Sequence, residues 1–169
     1  MQPWVAALGV CAACSATGAS APDPVPAAVL MAAPLPAPFS GAVHTWLVVG
    51  GAAAPERWEV WQTAEPGDGR WGHVARDYLP PFAGVGGGPA FSLATLDGPA
   101  GEAFAACLRE RAPTYRWRET YVVVPGPNSN TFTAAMLDAC GWSVGLPWSA
   151  VGARFPAGRS VRLEFLQGE

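Results

Sequence analysis

The stretch Pro125-Gly126-Pro127-Asn128-Ser129-Asn130-Thr131-Phe132 joins an extended apolar run to a helical pattern. Gly126 between two prolines makes a stiff entry, because each proline fixes its own φ and restricts the residue before it. Asn128 and Ser129 fall at the predicted helix start, where backbone N–H groups lack intrahelical partners and a partial positive charge points outward. A hydroxyl there stands beside an oxyanion site. With a base close by it is a nucleophile; without one it is a helix cap.

Two histidines are available as that base. His44 lies early in the run Ala42-Val43-His44-Thr45-Trp46-Leu47-Val48-Val49, which reads as a central strand, apolar on both faces and ended by Gly50-Gly51. An imidazole buried there needs a partner, either a backbone carbonyl or a catalytic one. His73 stands four residues before Asp77, but with no second His or Cys beside it the pair is short of the three or four ligands that zinc needs. It reads as a solvated loop histidine, and no metal is expected. The next strand, residues 57–63, can pair with the first as a hairpin. It places Trp58, Val60 and Gln62 on one face and Glu59 and Trp61 on the other. Ser129 as nucleophile, His44 as base and Glu59 as the group that orients it fit the logic of acyl transfer. Gln62 replaces Glu59 if the register presents it instead. The backbone N–H groups of Ser129 and Asn130 supply the oxyanion hole, with Asn128 and Tyr121 in support.

The remaining elements must position these groups. Asp97-Gly98-Pro99 opens a helix with a capping side chain and an early proline, its inner face carrying Ala100, Ala103, Phe104, Cys107 and Leu108, and Pro113 closes it. Residues 115–124 read as a strand whose Tyr121-Val122-Val123-Val124 end is fully buried. A second helix covers about residues 129–140, with Phe132, Ala135, Met136 and Ala139 inward and Gly141 as its stop. A last strand, residues 160–166, alternates Val161, Leu163 and Phe165 with Arg162 and Glu164. Between the hairpin and the first helix, residues 64–96 are rich in Gly and Pro. A loop of that length is expected to be a flap or short irregular elements walling a cleft with Trp71 and Tyr78. Its glycines are followed by no Gly-Lys-Ser/Thr, so no nucleotide cradle and no cofactor is expected.

At 169 residues the chain has room for one domain, residues 39–169. Thirteen acidic and ten basic residues, scattered to a net charge of −3, give no footprint for nucleic acid. Residues 1–21 run apolar to Ala19-Ser20-Ala21 and read as an export signal without a basic n-region, which points to the periplasm or cell envelope. The stretch is too short and too rich in small residues to span a membrane, which leaves room only for a loose envelope association. Residues 22–38 carry six prolines among alanines and read as a linker. Cys107 and Cys140 read as buried small hydrophobes rather than a disulfide.

The order of a strand histidine, a polar group on the next strand and Asn128-Ser129-x-x-Phe132 at a helix start resembles the circularly permuted papain-like and NlpC-type peptidases. The lecithin retinol acyltransferase-like and PPPDE proteins belong to that branch. More closely, His44 to Val49, Trp58-Glu59-Val60, the Tyr121 run with Pro125 to Phe132, and residues 146–152 resemble a bacterial family, domain of unknown function 3750. The resemblance implies an α+β domain with an antiparallel sheet of about four to five strands on two main helices. It also implies a hydrolase or acyltransferase acting on an amide or ester. The chain departs from the peptidases in having serine where they have cysteine. A serine hydroxyl is not ionised at neutral pH and depends wholly on its base. A scaffold without chemistry would instead be a binding module for a peptide, glycan or lipid, its groove lined by some of the tryptophans.

Overall fold

A computed structural model describes residues 26–51, 54–65 and 67–155. The expected export signal and the expected last strand, residues 160–166, lie outside the described residues. Six strands make one open antiparallel sheet: β1 (Ala28–Pro34), β2 (Val43–Val49), β3 (Glu56–Val60), β4 (Arg70–Trp71), β5 (Val74–Arg76) and β6 (Phe91–Leu96). Their order across the sheet is β4-β5-β3-β2-β1-β6. Two helices follow, α1 (Gly98–Arg111) and α2 (Ser129–Ala139). The α+β class and the two helices match the expectation; the sheet is larger than expected.

The additional strands come from two segments read as irregular. β1 lies within the expected linker, yet it pairs with β2 from Ala28↔Val49 to Pro34↔Val43 and with β6 on its other side. The strand therefore sits inside the sheet, and the folded unit includes residues placed before residue 39. Alanine has weak strand propensity, but a strand covered on both faces is decided by fit and burial. Ala28, Leu30, Ala32 and Ala33 are fully buried. Likewise, residues 64–96 hold β4, β5 and β6 within the stretch expected to be a flap.

One expected strand is absent. Residues 115–124 are turns, closed by Arg118 N–H to the Tyr115 carbonyl (3.1 Å) and Thr120 N–H to the Trp117 carbonyl (3.0 Å). Val122 donates instead to the Pro127 carbonyl (2.8 Å), so the elbow folds back on the run that feeds it. Val122, Val123 and Val124 are 39, 39 and 61% exposed, against the expected burial. Their β-branching favours a strand, but the local bonds leave no ladder to join.

The sheet has two covered faces. On one, Leu30, Leu47, Val49, Trp58 and Val60 meet Phe104 and Leu108 of α1 and Phe132, Met136 and Leu137 of α2 in the main core. On the other, Val29, Met31, Trp46 and Val48 pack under Val85, Leu79 and Leu35. Cys107 and Cys140 are joined in a disulfide that ties α1 to the C-terminal cap of α2, correcting their reading as free core residues. Both helices lie on one face, which brings the two Cα atoms to 5.7 Å, a span that suits the bond.

Candidate functional site

The hairpin β2–β3 places His44 and Glu59 together. Its register pairs Leu47 with Trp58 and Val48 with Arg57. Alternation then puts His44, Trp46 and Val48 on the same face as Arg57, Glu59 and Trp61. His44 Nε2 donates to Glu59 Oε2 at 2.8 Å. Arg57 Nη2 donates to the same oxygen at 2.8 Å, and Arg57 Nε lies 2.6 Å from Oε1 as an ion pair without hydrogen-bond geometry. Arg57 and Glu59 have no exposed surface and His44 has 5%. Gln62, the alternative partner, is exposed beyond the end of β3 and makes no hydrogen bond among the described residues.

Burial alone would hold the Glu59 carboxyl above the usual carboxylate range. The His44 bond and the neighbouring Arg57 charge outweigh it, so Glu59 is held below that range. Since the ionised carboxylate only accepts, Nε2 carries the proton, and in the neutral ring Nδ1 is the base. Nδ1 has no partner among the described residues. The imidazole lies 5.8 Å from the Trp46 ring and 5.4 Å from Trp61, whose other side meets Tyr78 edge-on at 5.2 Å.

A proline-rich loop closes this face. Arg57 Nη1 donates to the carbonyls of Pro80 (3.1 Å) and Ala83 (2.5 Å), and Trp46 Nε1 donates to Pro81 (2.8 Å). The Arg57 guanidinium also stacks 4.1 Å over the Trp46 ring. Tyr78 thus lies on the His44 face beside Trp61, and Trp71 stacks on Trp58 at 5.5 Å on the helix side, so neither walls the cavity at Ser129. His73 is not a solvated loop residue. Half-buried between β4 and β5, it donates from Nδ1 to the Trp61 carbonyl at 2.7 Å and lies 5.7 Å from the Tyr121 ring.

At the start of α2 the two asparagines do the structural work. Asn128, not Ser129, is the cap: its Oδ1 accepts from Asn130 N (3.0 Å) and Thr131 N (3.2 Å), and Thr131 Oγ1 accepts from Asn128 N in return. Its Nδ2 donates to the carbonyls of Val123 (2.8 Å) and Val151 (3.0 Å). Gly152 is required beside it, because a Cβ there would overlap the Asn128 amide. Asn130 Oδ1 accepts from Thr45 N (3.0 Å) and Thr45 Oγ1 (2.9 Å), and its Nδ2 donates to the carbonyls of Val43 and Val151, each at 2.9 Å. One amide therefore holds the backbone on both sides of His44, like a short extra strand. The sequence hid this role, since an asparagine after a nucleophile candidate reads as an oxyanion donor.

Ser129, first residue of the helix, is 5% exposed and its hydroxyl has no partner among the described residues. It opens into a cavity of about 280 Å³ with Tyr121, Asn128 and Asn130. Burial raises the Tyr121 phenol, which keeps its proton and can donate. The expected two-donor oxyanion hole is reduced, because Asn130 N–H is committed to the cap. The N–H of Ser129 has no partner inside the helix. No hydrogen bond joins Ser129 to His44 among the described residues. Thr45 meets Asn130 and Thr133 of α2, so alternation turns His44 toward the opposite face.

An unpartnered serine over a cavity on one face of the sheet and a buried His-Glu-Arg cluster on the other are the chemistry-bearing features of this α+β protein. The family model described as Protein of unknown function (DUF3750) matches residues 27–155, and the chain belongs to that family. The match begins one residue before β1 and ends with the described residues. Nothing among curated proteins or solved structures matches the chain.

Proposed function

We propose that the protein is an envelope-associated hydrolase or acyltransferase acting on an amide or ester, with a permuted papain-like arrangement of its site. One observation carries this reading. Asn128 caps the helix and Asn130 ties it to β2, leaving the Ser129 hydroxyl with no structural task at a helix N-terminus that opens on a cavity. In the reaction, Ser129 Oγ attacks the carbonyl carbon and gives its proton to a base at the cavity; for His44 to serve, the start of β2 must turn it from the opposite face of the sheet. The tetrahedral oxyanion is met by the Ser129 N–H and the Tyr121 phenol. Collapse expels the alcohol or amine, which takes the proton back from that base, and water or an acceptor nucleophile then releases the acyl group. Glu59 fixes the His44 tautomer and stabilises its charged form, and Arg57 holds Glu59 ionised. The Cys107–Cys140 disulfide supports an oxidising compartment and hence export.

A second reading drops catalysis and keeps the cavity as a binding site for a peptide, glycan or lipid. It is favoured by the turn of His44 away from the face that receives α2. Fluorophosphonate labelling separates the two. The enzyme predicts labelling of the wild type at Ser129 and none in Ser129→Ala, with melting temperatures that agree closely. A folded wild type that never labels leaves the binding module.

A further inference from the structure

The cavity over Ser129 differs from a peptide or glycan groove in what it offers a ligand. Leu35, Phe39, Val123, Val124 and Val151 form its walls, and no charged side chain lines it. Its polar side chains are nearly all spent. Both amides at the floor use their oxygen and both hydrogens on the protein itself. What remains are three hydroxyls, those of Ser40, Tyr121 and Ser129. A sugar or a peptide backbone bound here would leave buried polar groups unpaired, which is costly. An aliphatic chain would leave none.

The rim continues the same chemistry outward. Phe39 is 47% exposed, Val123 39%, Val124 61% and Val151 38%. Apolar side chains gathered around a cavity mouth, rather than scattered singly, mark a site for apolar matter. At about 280 Å³ the space is slightly below the range of pockets that hold drug-sized molecules, and it suits a single chain.

We infer that this cavity is an acyl-chain site: it takes the uncharged aliphatic chain of an ester or amide, with the chain between Phe39 and Val124 and the carbonyl at Ser129. As a statement about substrate class it rests on the enzyme reading, but binding of the chain does not require the chemistry. The test therefore uses the full chain carrying Ser129→Ala, titrated with straight-chain alcohols from butanol to dodecanol and followed by isothermal calorimetry and amide NMR shifts. Affinity should rise with chain length until the cavity is filled, with shifts at Val123, Val124 and Val151. Val124→Arg, a change at an exposed rim position, should weaken the longer alcohols by about tenfold or more, equivalent to roughly 1.4 kcal/mol. Affinity that does not depend on chain length, or that is unchanged in a folded Val124→Arg protein, overturns the inference. So does tighter binding of a short neutral peptide or a disaccharide under the same conditions. Labelling of the wild type keeps the outcomes separate: chain binding without labelling removes the enzyme and leaves the acyl site, and labelling without chain binding does the reverse.

Discussion

The two faces of the sheet are built on different principles. On the helix face, Phe104, Leu108 and Phe132 bury apolar surface against Leu47, Trp58 and Val60, and every contribution has the same sign. On the opposite face, the protein places an imidazole, a carboxylate and a guanidinium with almost no exposed surface between them. Such a cluster costs desolvation that its own attraction barely offsets, and an apolar set of similar volume would serve stability as well or better. The difference teaches that apolar burial accounts for the helix face but not for the other, where Arg57 ties Glu59 and, through it, His44 to the loop carbonyls of Pro80 and Ala83.

Acid separates the faces most sharply. Phe132→Ala should cost about 3–5 kcal/mol by leaving a cavity, and this cost should not vary with pH. Glu59→Ala strands the Arg57 charge and should cost a similar amount, about 3–5 kcal/mol, near neutral pH. Glu59 has a lowered folded-state pKa, so its stabilisation is complete above its unfolded value and is lost as pH falls through the folded one. The penalty of Glu59→Ala should therefore shrink in acid while that of Phe132→Ala stays. Denaturant melts of both variants across the carboxylate range check this, and two parallel pH profiles would break the distinction.

A smaller effect sharpens the helix face. Reducing the Cys107–Cys140 bond, or replacing both residues by serine, should lower stability by about 2–4 kcal/mol, read from thermal melts with and without reductant. Smaller again is the cap: Asn128→Ala should cost about 0.5–2 kcal/mol through the helix start, and somewhat more because the Val123 carbonyl loses its donor and the Val151 carbonyl keeps only Asn130. Ser129→Ala, two bonds from the same machinery, should change stability by less than about 0.5 kcal/mol, because its hydroxyl supports nothing. That ranking, with the residue between the two asparagines the most dispensable to folding, is the equilibrium form of the argument that Ser129 is kept for chemistry.

Much of this was legible in the chain. The β2–β3 hairpin was readable because Trp46-Leu47-Val48-Val49 and Trp58-Glu59-Val60 carry strong strand residues in register, and with the hairpin came the His44–Glu59 contact. The limits of α2 followed from Asn128 and Gly141. Three features were not legible, each for a physical reason. β1 offers only the short apolar patch Val29-Leu30-Met31 between alanines and prolines, too little to mark a strand locally, and its neighbours β2 and β6 make it one. The valines at 122–124 have strand chemistry, but Val122 N–H donates to the Pro127 carbonyl and the Val123 carbonyl accepts from Asn128 Nδ2, each partner five residues later. The division of labour between Asn128, Ser129 and Asn130 depends on what lies across from them, Val43 and Thr45, more than eighty residues away in sequence.

The central claim is that Ser129 is left free of structural work to act as a nucleophile, and fluorophosphonate labelling tests it most directly. Wild type should label at Ser129, and Ser129→Ala should not label at all. A folded wild-type protein that never labels would contradict the account.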